Sequence, residues 1–364
     1  MDLRYSSEQE QVREAAKVVF SDHVSHEARL TAEQSDDGFD KALWQEIIKL
    51  EWLSAASNED DLETLAILAE EAGRSAVALP LLATVAAILL LQDAADGEAL
   101  EEIRRSIETG ERIVVPLPNC RSRQSGENLS LTSPDQLVLW GAQTDAFLVP
   151  AISEAGVITI SLVEAGTPGA HIREASLIDN LRGAWISLED VVPTKLISTA
   201  MTEEVLERWR EKCLLLGAAE AYGAAEGAIA LTTNYVKERF QFGRAIGSFQ
   251  AVQHGLANAK AYSESAWLAV WEGVSGIAHG EQIPSAGALA AWLAERALQE
   301  AAVAGSQFHG GMGITREYPM QHYYRRAAAA HGRLGSQYDL LGKIADRFVD
   351  HAPTDARSAF SGDM

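Results

Sequence analysis

Three long stretches in the C-terminal half, residues 214–237, 251–279 and 286–307, run without an internal proline, and Ala with scattered Gly dominates each. A helix needs an unbroken ladder of backbone N–H donors, which proline interrupts. Small side chains then let neighbouring helices approach closely. From about Thr202 to about Val349 the chain is therefore expected to form a helical bundle.

The rest of the chain changes texture twice. Residues 1–110 read as a helical N-terminal domain, rich in Ala and Leu with few strand signals. Ser6–Glu10 has a hydroxyl cap with acidic residues in the first turn, a helix start. Leu62 to Ala72 carries apolar residues at helical period, with Gly73 expected as its stop. The apolar run Ala76 to Leu91 is broken by Pro80 and Thr84 and falls short of the ~20 residues of a bilayer span, so it is expected to be a buried helix entered through the proline. Residues 111–195 carry short β-branched runs, Ile113–Pro116, Leu137–Trp140, Ala146–Val149 and Val157–Val163, between Gly, Pro, Asn and Asp. That pattern implies a small antiparallel β domain. Residues 196–350 hold the bundle, and residues 351–364, with little apolar content, are expected to be a mobile tail. The fold class is α+β.

Charge narrows the partners. A net charge of -22 repels phosphate backbones and anionic lipids, so neither nucleic acid nor a membrane is expected to bind. An anionic ligand would need a local basic patch. Cys120 and Cys213 make neither a disulfide framework nor metal-ligand spacing, and the charged N-terminus lacks a signal-peptide core. A cytoplasmic location is expected, with no metal.

Two segments carry the chemistry: Glu238-Arg-Phe-Gln-Phe-Gly-Arg-Ala-Ile-Gly-Ser-Phe-Gln250 and Gln307-Phe-His-Gly-Gly-Met-Gly-Ile-Thr315. A Gly-Gly-Met-Gly step alone usually marks a turn, and a lone basic helix end is usually a solvated face. Together, in a bundle, they resemble the flavin-binding signature of the acyl-CoA dehydrogenase family. Glu70–Arg74, Leu79–Thr84 and Leu188–Pro193 are similar to further family patterns, and the resemblance covers nearly the whole chain. It implies a helical N-domain, a small β domain, a C-terminal four-helix bundle, and FAD as cofactor. Arg239 would face the pyrophosphate, a guanidinium–phosphate match. Gln241 and Phe242 would contact the phosphate and adenine side, and Ile246, Phe249 and Gln250 would continue that wall. Gln307, Gly310 and Gly311 would approach the cofactor from a neighbouring subunit, which implies an obligate oligomer. His254 and His309 are expected to be packed or surface histidines.

The resemblance fails where the reaction takes place. The family removes an α-proton with a glutamate held in a dry pocket. The equivalent of its Glu-Gly-Thr step here is Leu334-Gly335-Ser336, and leucine accepts no proton. The alternative position, on the helix before the arginine motif, is Cys213, expected to be inert. Glu207, Glu211 and Glu220 lie off that position, with Glu211 the nearest rescue. Glu317 is expected to be a helix-start carboxylate near Arg325 or Arg326. The family's Thr-Glu-Pro loop and Trp-Ile-Thr strand, which cover the flavin ring, find no match between Val114 and Asp145. Residues 119–128 read as a polar loop instead.

Loss of the catalytic half beside a retained cofactor half resembles the non-catalytic, β-type subunit of heterotetrameric (α2β2) steroid-type acyl-CoA dehydrogenases. The implied partner is an unlike subunit carrying the glutamate, and the implied substrate a bulky acyl-CoA such as a steroid side-chain ester. Two alternatives stay open: a homo-oligomeric flavoenzyme of different chemistry, and a flavin-free structural subunit. Flavin content alone and with an unlike chain separates the three.

Overall fold

In the computed structural model, residues 5–58, 61–94, 98–125, 128–281 and 283–350 are described. The expected tail, 351–364, lies outside them. Six helices come first: α1 (Ser7–His23), α2 (His26–Gln34), α3 (Lys41–Lys49), α4 (Leu62–Arg74), α5 (Leu81–Gln92) and α6 (Glu98–Glu108). α1 starts where a capping box forms, Ser6 and Gln9 each accepting from the other's backbone N–H. α5 is entered through Pro80 and is buried along most of its length.

Gly73 does not stop α4, which runs through to Arg74. The reason is tertiary. A Cβ on Gly73 would lie 1.9 Å from the Glu220 carbonyl oxygen, and one on Gly223 would lie 1.9 Å from that of Glu70. The two glycines let α4 and the central bundle helix touch backbone to backbone.

A sheet domain follows, made of β1 (Val114–Pro116), β2 (Cys120–Ser125), β3 (Asn128–Leu139), β4 (Ala146–Ser153), β5 (Ile158–Glu164), β6 (Ala170–Ser176), β7 (Arg182–Val191) and β8 (Lys195–Met201). The strand order is β6-β7-β3-β2-β4-β5-β8, with β1 beside β4. The sheet is mixed, not antiparallel throughout: β4 pairs in parallel with both β1 and β2. The expected loop at 119–128 is largely strand, since β2 pairs with β3 up to Ser125 opposite Asn128. Buried Cys120 and Ser122 alternate there with exposed Arg121 and Arg123, the period-two pattern of a half-buried strand. β8 carries the sheet past residue 195 to Met201.

The bundle comprises α7 (Glu203–Glu238), α8 (Gln250–Ala278), α9 (Ala286–His309), α10 (Met320–Leu334) and α11 (Gln337–Ala345). Between α7 and α8 the chain makes a small hairpin, β9 (Phe240–Gln241) and β10 (Arg244–Ala245). α7 is long and apolar enough to cross a membrane, but 56% of its most apolar stretch is buried within the protein. It serves as the bundle's axis, and Trp209 Nε1 donates to the Ala86 carbonyl of α5 at 2.8 Å.

Candidate cofactor cleft and the sealed end of the bundle

At the C-terminal ends of α7 and α9, Tyr235, Arg239, Gln241, Ile246, Gln307, Gly310 and Gly311 line one open cleft of about 620 Å³. Both sequence motifs therefore meet on a single chain. Gln307 and the glycines lie beside Arg239 within this chain. Phe242, Phe249 and Gln250 are not among the cleft's lining residues. Phe242 stands at the tip of the β9–β10 hairpin, 91% exposed with φ 54°, ahead of Gly243 at φ 80°. Phe249 supports that tip edge-on at 6.1 Å and carries the Arg244 guanidinium 4.0 Å above its ring.

The floor of the cleft is rigid. His309 is buried, its ring stacked 4.3 Å from Tyr235. Its Nδ1 lies 2.7 Å from the Gly305 carbonyl, which makes that nitrogen the donor, and Nε2 accepts from the Tyr318 hydroxyl at 3.1 Å. Burial lowers its pKa, so it stays neutral. His254, by contrast, is exposed.

This donor set suits a diphosphate. The described residues place no carboxylate within 4.0 Å of the exposed Arg239. Gln241 and Gln307 add amide donors. Cβ atoms built on Gly310 or Gly311 meet nothing within 4 Å, so these glycines do not serve packing within this chain. Gly310 needs its φ of 62° for the turn out of α9, and both keep the backbone open to whatever lies above it. The fit with the pyrophosphate half of FAD is good.

Around the middle of α7 the bundle is closed. Leu334 is buried at the end of α10. It faces Gly217, where an added Cβ would lie 3.0 Å from Leu334 Cδ2. Cys213 packs in the bundle, and burial pushes its thiol up to about 12. Beside Leu334 four charged side chains converge. Arg326 donates to Glu220 at 3.0 Å and to the Val77 carbonyl. Arg333 donates to the other oxygen of Glu220 and approaches Asp179 at 3.8 Å. Burial alone would raise the Glu220 carboxyl, but Arg333 and Arg326 outweigh it and hold the group below the usual carboxylate range. A carboxylate so held is a poor base. The space left among Gly217, Ala221, Leu298 and Leu334 is about 10 Å³, roughly one water molecule.

The remaining acids are also committed. Glu211, whose pKa burial raises, accepts from the backbone N–H of Gly287 at 2.7 Å and so caps α9. It lines a separate cleft of about 660 Å³ with Ile277 and Ile283. Glu207 pairs with Arg210 at 3.0 Å and Lys343 at 2.9 Å. Glu317 has no ion pair within 4.0 Å among the described residues, because Arg325 engages Glu33 and Arg326 engages Glu220. Sequence reading missed Arg326 and Arg333. The one available signal was two arginines one and eight positions before the expected base, on either side of the Ala327–Ala330 run.

Between Val114 and Asp145 the chain builds β2 and β3. β3 turns directly into β4 through 140–145, with Trp140 buried at φ 62° against Phe39, ring centres 5.8 Å apart.

Residues 215–347 match the family model for the acyl-CoA dehydrogenase C-terminal domain. An acyl-CoA dehydrogenase of Mycobacterium tuberculosis, IpdE2, is 29% identical over 348 residues, covering 93% of this chain and 96% of that protein. Among solved structures, a variant of the Tcur3481–Tcur3483 steroid ACAD superposes with a TM-score of 0.86 at 25% identity, over 95% of this chain and 98% of that one. The ChsE4–ChsE5 complex of Mycobacterium tuberculosis gives 0.85 at 22% identity, over 97% and 100%.

Proposed function

Because this chain belongs to the acyl-CoA dehydrogenase family, whose members are FAD-dependent oxidoreductases, we propose that it is the base-lacking subunit of a heteromeric enzyme and lends the pyrophosphate half of an FAD site to an unlike, glutamate-bearing partner. One observation carries this reading. At ~1.5 Å of rise per residue, roughly 28 Å of α7 separates Glu220, at the closed site in the middle of the helix, from Arg239 past its C-terminal end. The five-carbon ribityl chain that joins a flavin ring to its pyrophosphate covers well under half of that. An FAD whose diphosphate lies against Arg239 would therefore keep its ring away from Glu220, which supports a ring held against another chain.

Bound there, FAD would accept the β-hydride of an acyl-CoA. This chain's own part is to hold charge and exclude water. Arg239 offsets the diphosphate, Gln241 and Gln307 donate to its oxygens, and Gly310–Gly311 admit it at backbone distance. Among the described residues at the expected base positions none would remove the α-proton: Leu334 cannot, Cys213 is inert, and Glu220 is locked by two arginines, while Glu211 caps α9 away from the cofactor cleft. The likeness to the Tcur3481–Tcur3483 steroid ACAD supports a bulky, steroid-type acyl group and a paired subunit.

The test is FAD per chain with native mass, for this protein alone and after co-purification with unlike subunits. Little flavin alone, rising to about one FAD per unlike pair, is expected. A full flavin load on a homo-oligomer that oxidises acyl-CoA at a normal rate would reject the reading.

A further inference from the structure

A narrow crevice opens where the three domains meet, on the side of Asp179 and Arg326 away from Glu220's pocket. It lies between α2, residues 76–78, Asp179 and Asn180 before β7, and His322 and Arg326 of α10. Its volume of about 30 Å³ takes roughly two water molecules, or one small planar ion. Arg29 of α2 lines it with Nε and Nη1 buried and without a hydrogen-bond partner. Its remaining nitrogen reaches only the Val24 carbonyl, at 3.5 Å.

The carboxylates around the crevice are engaged elsewhere. Glu33 is held by Arg316 and Arg325 at 3.3 Å and by Asn180 Nδ2 at 2.7 Å. Asp40 caps α3 through Ala42 at 2.8 Å and faces His23 at 3.6 Å. Asp179 leans toward Arg333. Among the described residues none comes within 4.0 Å of Arg29. A buried guanidinium without counter-charge is costly. Burial and then the neighbouring Arg326 both lower its proton affinity.

The opposite wall has the reverse need. Asn180 Oδ1 is a buried acceptor without a hydrogen-bond donor, whereas Asp179 Oδ2 is paired with Arg333 at 3.8 Å. The bond from Asn180 Nδ2 to Glu33 fixes that amide's orientation, so Oδ1 is left as an acceptor on a residue that lines the crevice. A halide would answer Arg29 and leave this acceptor bare. Water would answer the hydrogen bonds and leave the charge. A hydroxyl-bearing anion answers both.

We propose that this crevice binds a small oxyanion of bicarbonate size, with Arg29 as its charge-assisted donor and Asn180 Oδ1 accepting from its hydroxyl. The full chain, with its partner where it needs one, is unfolded thermally in sodium bicarbonate, formate or chloride at matched pH and ionic strength. Bicarbonate should raise Tm saturably and more than the other two. Arg29→Gln should move that midpoint at least tenfold. Equal stabilisation by all three salts means an adventitious ion only and overturns the site, as does an unchanged midpoint in the variant. Should Arg29→Gln not fold, crystals of the native protein soaked in bicarbonate decide: planar density on Arg29 supports the site, water alone removes it. Neither readout involves flavin, so the result stands apart from the subunit reading.

Discussion

The middle of α7 and its C-terminal end treat charge in opposite ways. Around the middle, Glu220, Arg326, Arg333 and Asp179 are buried and satisfy one another. Past the C-terminal end Arg239 is exposed and has no carboxylate within reach among the described residues. Mutual neutralisation within a chain joins elements, and here it ties the bundle to Val77 of the N-domain and to Asp179 of the sheet domain. Charge left open, beside glycines whose Cβ space is empty, is arranged for something outside the chain. One helix thus carries a structural lock at its middle and a docking surface at its C-terminal end.

The largest expected effect comes from breaking the lock. Glu220→Gln leaves two buried arginines without their carboxylate, and loss of one partner of a buried ion network costs about 3–5 kcal/mol. Urea unfolding should register it. A loss below ~1 kcal/mol would mean that water already reaches the cluster.

Arg239→Ala should leave unfolding almost unchanged and weaken FAD retention by the assembled complex roughly tenfold to a hundredfold, the weight of a hydrogen bond to a charged group. Normal FAD content in that variant would sink the assignment of the cleft.

Gly311→Leu sharpens the contrast further. The chain has open space above Gly311, so stability of the protein alone should shift by under ~0.5 kcal/mol while flavin content of the complex falls. Equal flavin content in both proteins would show that the glycine faces no cofactor.

The lock should also titrate. The Glu220 carboxyl is lowered in the folded state, so its contribution is present above the ordinary glutamate range and is lost as pH falls through the folded value. The stability gap between wild type and Glu220→Gln should therefore be constant from pH 7 to about 5 and shrink on further acidification. A gap that widened would reverse the sign. Smallest of all is the effect expected of Leu334→Glu on turnover: no acyl-CoA oxidation is gained, because Arg326 and Arg333 beside the site would pair with the new carboxylate and keep it a poor base.

Much of this was legible in one dimension. The Pro-free Ala-rich stretches became α7, α8 and α9, and the capping box at Ser6 became the start of α1. Arg239, Gln241, Ile246, Gln307, Gly310 and Gly311 were singled out by the resemblance of their two segments to the family's flavin motifs, and the structure brings them to one cleft. Gly73 misled, since a glycine needed for close helix contact looks like one that ends a helix. Residues 119–128 misled because polar strand residues resemble a loop when only one face is buried. Phe242, Phe249 and Gln250 carried the motif but do not line the cleft.

By itself the sequence determined the order of helical, sheet and helical blocks, the retained cofactor motifs, and the absence of a carboxylate at residue 334. These follow from local periodicity and from residue chemistry at short spacing. Only the tertiary structure decided that both motifs share one cleft, that Glu220 is trapped by arginines 106 and 113 residues away, and that Arg29 faces a crevice without a counter-charge. Those facts depend on which helix faces meet across the core, and no pattern along the chain encodes the neighbours a buried charge will find.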